Sequence, residues 1–284
     1  MTNPLPVSIA ALGVVAACAQ AAPEVDPAWR AALDELVASE RAFARLASDS
    51  TVQFAFIANV DEATTLFRPG PVAAAEWLQA NPFPSDLALE WEPASADLAA
   101  DGSLGFTTGP WRSGRRVAGT WGGHGQYLTV WRRGSGGFIA VLDWGIGHPP
   151  PRDMIALRLA EPPIPATAAI GAAADGLAIA DEDLNAALDN GSGAWAEYVA
   201  GNVRWLRNGV EPSFGAAAIP ALRDGLTFIS LGAKSARSGD FGFSWGEQRS
   251  TADPASDPVG YYVRIWRTDA DHSWKVIVDG ADGG

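Results

Sequence analysis

Cysteine is nearly absent from this chain: Cys18 is the only one in 284 residues. That excludes a disulfide framework, a thiol nucleophile and a cysteine-based metal site from the folded part. Histidine is scarce too. His124, His148 and His272 stand at no metal-ligand spacing, so no metal site is expected. Basic residues are outnumbered, 20 Lys and Arg against 33 Asp and Glu. The resulting net charge of −13 argues against a nucleic-acid groove, because phosphate binding needs a basic surface. It leaves room for a local basic pocket, and its simplest reading is solubility. No apolar run is long enough to span a bilayer as a helix. Gly-x-Gly-x-x-Gly turns and Gly-x-x-x-x-Gly-Lys loops are missing, so those dinucleotide and nucleotide signatures do not apply. No cofactor is expected.

What the chain does have is a repeated hairpin. Gly125 to Trp144 reads as two apolar strands joined by Gly134-Ser135-Gly136-Gly137. Gly260-Tyr-Tyr-Val-Arg-Ile-Trp-Arg, a polar turn at 268–272 and Trp274-Lys-Val-Ile-Val-Asp-Gly repeat it. Trp131 matches Trp266, and Asp143 matches Asp279 with one extra turn residue. Two tandem domains follow, at 26–148 and 177–284, joined by a Pro/Ala-rich linker at 149–176. Twelve Trp residues supply apolar area, and each buried indole N–H requires a partner.

Residues 1–23 carry no charged side chain, and 7–17 form a short apolar run before Cys18. This suits a signal peptide. Val15-Ala16-Ala17-Cys18 is similar to a bacterial lipobox, whose cysteine is lipidated; Ala19-Gln20-Ala21 also fits ordinary cleavage. The missing n-region Lys or Arg departs from both patterns. The expected address is outside the cytoplasm of a bacterium, periplasmic or membrane-anchored through lipid on Cys18, with no other membrane contact.

Along the chain, Asp26-Pro27 opens a helix with an N-cap and a proline at the first turn. Trp29, Leu33, Leu36, Val37, Phe43 and Leu46 form its apolar stripe, interrupted by Glu40, which either snorkels at the margin or points into a polar cavity. Short helices are predicted at 52–57 and 72–79, then strands at 87–96, 104–112, 127–133 and 138–146. One strand falls within 154–159. The second copy predicts helices at 177–188, 194–199 and 214–222 and strands at 226–235, 241–248, 261–267 and 274–279. Helices followed by strands make an α+β pattern.

Glu40-Arg41-Ala42-Phe43, Leu66-Phe67-Arg68-Pro69-Gly70-Pro71, Leu104-Gly105-Phe106-Thr107-Thr108-Gly109, Val130-Trp131-Arg132 and Val141-Leu142-Asp143 carry a resemblance over about 28–148. They resemble the nuclear-transport-factor-2-like superfamily, and within it a bacterial domain of unknown function distantly related to SnoaL-like polyketide cyclases and ketosteroid isomerases. The second copy is similar more loosely, through Leu206-Arg207, Phe241-Gly242-Phe243 and Ile265-Trp266-Arg267, without the Pro-Gly-Pro turn. The resemblance implies two cone-shaped α+β domains, each with N-terminal helices packed on a curved antiparallel sheet around a blind cavity. It implies no activity, since one fold hosts many functions.

Arg68 and Asp143 recur as Arg207 and Asp279. A carboxylate on the apolar face expected to hold Ile139 and Val141 needs a partner. The pair is either a buried ion pair fixing register in both copies or the polar floor of a cavity. Glu40 can join them as a third charge, so Asp143 and Glu40 are the candidate catalytic carboxylates. Arg68, Asp143, Glu40, Trp111, Trp121 and His124 are the candidate ligand-binding residues, Trp111 and Trp121 as wall or rim. The site is expected in the first copy, with Lys275 neutralising Asp279 in the second. The expected function is binding of a small, partly apolar molecule. Alternatives are a lyase, isomerase or cyclase, and an envelope interaction module. The domains are expected to pair with each other or across a homodimer.

Overall fold

The computed structural model describes residues 26–116, 120–150, 158–159, 174–219 and 225–283. The leader at 1–23 with Cys18, and most of the 149–176 linker, lie outside the described residues. Among the described residues no helix is long and apolar enough to cross a membrane.

Helix α1 (Pro27–Asp49) starts as its caps dictate, the Asp26 carboxylate accepting from the Ala28 N–H at 2.9 Å. Trp29, Leu33, Leu36, Val37, Glu40, Phe43 and Ala47 form its buried stripe. Helix α2 (Val52–Asn59) is capped by Thr51, and α3 (Ala74–Ala80) follows strands β1 (Val60–Phe67) and β2 (Pro71–Ala73). The sheet continues with β3 (Leu87–Trp91), β4 (Ser95–Leu98), β5 (Leu104–Arg115), β6 (Thr120–Gly134), β7 (Gly137–Gly147) and β8 (Arg158–Leu159). The expected strand at 87–96 is broken at Pro93. With no N–H to donate there, the chain splits into β3 on the outer half of β5 and β4 on its inner half.

The second half has α4 (Ala174–Leu188), α5 (Trp195–Tyr198), β9 (Val199–Arg207), β10 (Ser213–Phe214), β11 (Leu226–Ser235), β12 (Phe241–Ser250), β13 (Gly260–Thr268) and β14 (Trp274–Ala281). In place of the helix expected at 214–222, Ser213–Phe214 pairs with β9, Gly215 takes φ 88°, and a 3-10 turn covers 216–218. Residues 220–224 lie outside the described residues.

The molecule is α+β, with two sheets of matching order. The first runs β2-β1-β7-β6-β5-β4-β8, with β3 also on β5; the second runs β10-β9-β14-β13-β12-β11. Strands β1 and β7, like β9 and β14, pair in parallel, as β4 does with β8; the remaining pairs are antiparallel. Each sheet covers its own helices on one face. The other faces pack on each other, burying Phe106, Leu128, Val130, Leu142 and Trp144 with Phe241, Phe243, Val263, Ile265 and Val278. The Trp144 ring lies so close to β14 that a Cβ on Gly280 would meet it at 2.5 Å. Gly70, in the Pro-Gly-Pro turn, likewise leaves room for Tyr261 of the second half. Arg267 clamps the edge of this contact, donating to both Asp97 oxygens at 2.8 Å.

A β-bulge corrects two face assignments. The β6–β7 register slips between Val130 and Trp131, placing Val141 beside Leu142 in the inter-sheet core and Asp143 on the helix-facing side. The β13–β14 register slips at the same place, between Ile265 and Trp266. One extra residue turns every later side chain to the opposite face. Asp143 therefore does not share a face with Val141. Lys275 does not meet Asp279; it donates to the Glu197 carbonyl at 2.6 Å.

Candidate functional site

A cavity of about 320 Å³ opens between α1, α2 and the concave face of the first sheet. Phe43, Phe56, Leu87, Leu89, Trp91, Trp111 and Tyr127 line it, with Arg68, Ser113, Thr129 and Asp143 as its polar groups. Trp111 lies flat because its bed is glycine: a Cβ would meet the indole at 2.6 Å from Gly125 and 3.2 Å from Gly123.

The polar corner is loosely bonded. Arg68 reaches Asp143 at only 3.4 Å, while donating at 2.6 Å to its neighbour's carbonyl, Phe67 O. The second Asp143 oxygen has a 3.3 Å contact from the Thr129 hydroxyl. Burial holds the Asp143 carboxyl above the ordinary carboxylate range, against the opposing pull of Arg68. Tyr127 is 7% exposed, and its hydroxyl makes no hydrogen bond among the described residues. The nearby Thr107 hydroxyl donates to Glu40 and accepts from Trp131 at 2.9 Å. Burial, reinforced by the Glu40 charge, raises the Tyr127 phenol well above its usual range.

Glu40 lies one layer behind this wall and is fully buried. Trp91 donates to it at 2.5 Å, Trp131 at 3.2 Å, and Thr107 also donates. Burial still pushes its carboxyl up to about 7, since three neutral donors only partly replace water around a charge. The interruption in the α1 stripe is thus a buried polar residue bonded to the back of the wall; it neither snorkels at the margin nor opens into the cavity.

Of the residues singled out from sequence, Arg68, Asp143 and Trp111 meet at the cavity, with Glu40 behind it. Trp121 and His124 do not. Trp121 lines a separate cleft of about 260 Å³ at the outer end of the β5–β6 hairpin, with the Arg112 guanidinium 4.1 Å above its ring. His124 pairs with Arg112 across that hairpin, away from the cavity. His148 is buried beside Gln126, 3.3 Å from its side-chain nitrogen. Tyr127, Thr129 and Trp91 were not legible as site residues, although the repeat contains a signal for one of them: Thr129 aligns with Arg264.

The second domain shows what that difference does. Tyr262, Arg264 and Trp266 stand where Tyr127, Thr129 and Trp131 stand in the first, with Ser244 for Thr107, Asp181 for Glu40, Asp279 for Asp143 and Arg207 for Arg68. Arg264 is wholly buried and fills the space. Its Nε donates to Asp279 at 3.0 Å and one Nη to Asp181 and Asn185, each at 2.7 Å. The guanidinium stacks 4.1 Å from the Tyr262 ring, and the Tyr262 hydroxyl donates to Asp181 at 2.8 Å. Arg207 pairs with Asp279 at 2.5 Å.

A larger groove, about 840 Å³, lies between the domains. Its charges are already matched: Arg267 with Asp97, Lys275 with Asp269, and Arg204 over the Phe214 ring at 4.7 Å. The smaller cavity, with underbonded groups on an aromatic lining, is the better candidate.

No protein-family model matches this chain, and no curated protein does. Solved structures do. An NTF-2-like protein of unknown function from Shewanella oneidensis is 13% identical, covering 39% of this chain and 96% of its own, at a TM-score of 0.34. An NTF2-like protein of unknown function from Pseudomonas putida is 15% identical over 47% and 98%, at 0.34. ActVI-ORFA from Streptomyces coelicolor is 11% identical over 40% and 95%, at 0.32. Over the length of one such protein, the chain is similar to nuclear transport factor 2-like structures.

Proposed function

We propose that the first domain binds a small, partly apolar molecule in the cavity beneath Trp111. The observation that carries this reading is the Thr129–Arg264 difference. Two equivalent sites sit in one chain; one is filled by its own side chain, and the other is left open with an unpartnered buried hydroxyl and a loose ion pair. An empty site with unsatisfied polar groups is costly, and a ligand offering donor and acceptor atoms completes it. The sheet faces that an interaction module would use are taken up against each other.

A small-molecule library screened by thermal shift on the full chain tests this. A ligand at a hundred times its Kd adds about 2.7 kcal/mol, and hence a rise of roughly 5–10 °C for a protein of this size. Thr129→Met, which projects a neutral side chain into the polar corner beside Asp143, should abolish the shifts. Hits that persist undiminished in Thr129→Met would place binding elsewhere and end the proposal.

A lyase, isomerase or cyclase is the second reading, favoured by Asp143, a carboxyl that lines the cavity and that burial holds above its ordinary range. Asp143 is the carboxylate that faces the cavity and so the one able to touch a substrate. Export remains part of the proposal, supported by the charge-free residues 1–23 and the stretch before Cys18. Mass spectrometry of the native N-terminus checks it: a mature chain beginning at Ala22 without lipid would remove the anchor.

A further inference from the structure

The two sites differ in charge as well as in volume. In the second domain two carboxylates, Asp181 and Asp279, face two guanidiniums, Arg207 and Arg264. In the first, among the described residues, one guanidinium, Arg68, pairs with Asp143, while Glu40 is held by the neutral donors Trp91, Trp131 and Thr107. The carboxylate that Arg207 and Arg264 share, one oxygen each, has its counterpart in Asp143, whose second oxygen meets only Thr129 at 3.3 Å. The ring that Arg264 stacks upon has its counterpart in Tyr127, which lines the open cavity with its hydroxyl unpartnered. Arg264 thus shows, within the same chain, what chemistry this constellation holds when filled: a planar organic cation between two carboxylates, over an aromatic face.

We infer that the ligand of the first domain is a small organic cation, a guanidine or amine on an apolar body, whose charge takes the place that Arg264 occupies in the second domain. Its nitrogen donates to the second oxygen of Asp143, the one that Thr129 holds only at 3.3 Å, and lies over Tyr127, where the field of Glu40 adds to the attraction. Phe43, Phe56 and Trp111 cover the apolar body. Aromatic walls around a cation strengthen the attraction, because the ring faces are electron-rich and water is excluded. Arg68 stays on the first Asp143 oxygen, as Arg207 does on Asp279. This rests on the binding proposed above and goes further by naming the charge of the ligand.

The test uses four probes of one shape and different charge: 2-phenylethylguanidine, 2-phenylethylamine, 2-phenylethanol and phenylacetate. Each is titrated calorimetrically into the full chain at a pH above the Glu40 titration. The two cations should bind at least tenfold more tightly than the alcohol, and phenylacetate should not bind. Asp143→Asn should weaken the cations at least tenfold and leave the alcohol within twofold. Thr129→Arg should abolish cation binding and raise the melting temperature without ligand, since the protein then carries its own cation as the second domain does. The probe series on the unaltered protein does not depend on either variant folding. Alcohol or phenylacetate binding as tightly as the cations would overturn the inference and leave the pocket standing as a neutral or anion site. Binding by none of the four overturns it too; the binding proposal itself falls only if the library screen also finds no ligand that Thr129→Met blocks.

Discussion

Replacing Glu40 by glutamine isolates the energetic consequence of a buried carboxyl. In the folded chain its pKa lies at about 7 against an ordinary 4.5. A raised carboxyl pKa means that the folded state holds the proton more tightly than the unfolded one. The associated stability is complete below about 4.5 and is lost as pH rises to about 7. A difference of roughly 2.5 pK units corresponds to about 3 kcal/mol. Urea unfolding of both proteins, followed by tryptophan fluorescence at a series of pH values between about 4 and 8, measures it. Asp97 and Asp143 are also raised by burial and slope in the same direction, so the informative quantity is the parent minus the variant. That difference should fall by about 3 kcal/mol across the window and stay level above it. In Glu40→Gln the new side chain would keep an acceptor for Thr107 and Trp131 but turn an amide towards the Trp91 N–H, at a cost of about 1–3 kcal/mol that does not vary with pH. Parallel pH profiles for the two proteins would show that Glu40 does not titrate in this window and would refute the reasoning.

Arg264→Met keeps most of the volume but leaves Asp181 and part of Asp279 as uncompensated buried charge; denaturation should show a loss of about 3–5 kcal/mol, and a loss below about 1 kcal/mol would show the network to be dispensable. The inter-sheet core and the Arg267–Asp97 clamp join the two halves, so calorimetry should give one transition, moved as a whole by a core substitution in either half. Two separate transitions would contradict that. Gly125→Ala should destabilise by roughly 1–3 kcal/mol, because its Cβ would sit 1.8 Å from the Ile146 carbonyl oxygen and 2.6 Å from the Trp111 ring; an unchanged melting temperature would mean that Trp111 is not pinned as described.

Local chemistry fixed much of this protein before any folding was considered. The Asp26-Pro27 cap, the apolar stripe of α1 and the period-two hairpins are set by interactions between near neighbours, and those elements lie where the sequence places them. The repeat also named the Arg68–Asp143 pair and its second-domain copy, because an apolar strand that ends in a carboxylate stands out in one dimension. Face assignments beyond residue 140 failed for a simple reason: a single bulge residue inverts a period of two, and bulges leave no mark in composition. It took the assembled fold to show that the outer sheet faces close on each other, and that Trp121 and His124 lie off the site while Tyr127 and Trp91 line it. An open cavity is a property of volumes contributed by seven separated segments, so one short side chain at Thr129 against one long one at Arg264 means little until the strands and helices around both are in place.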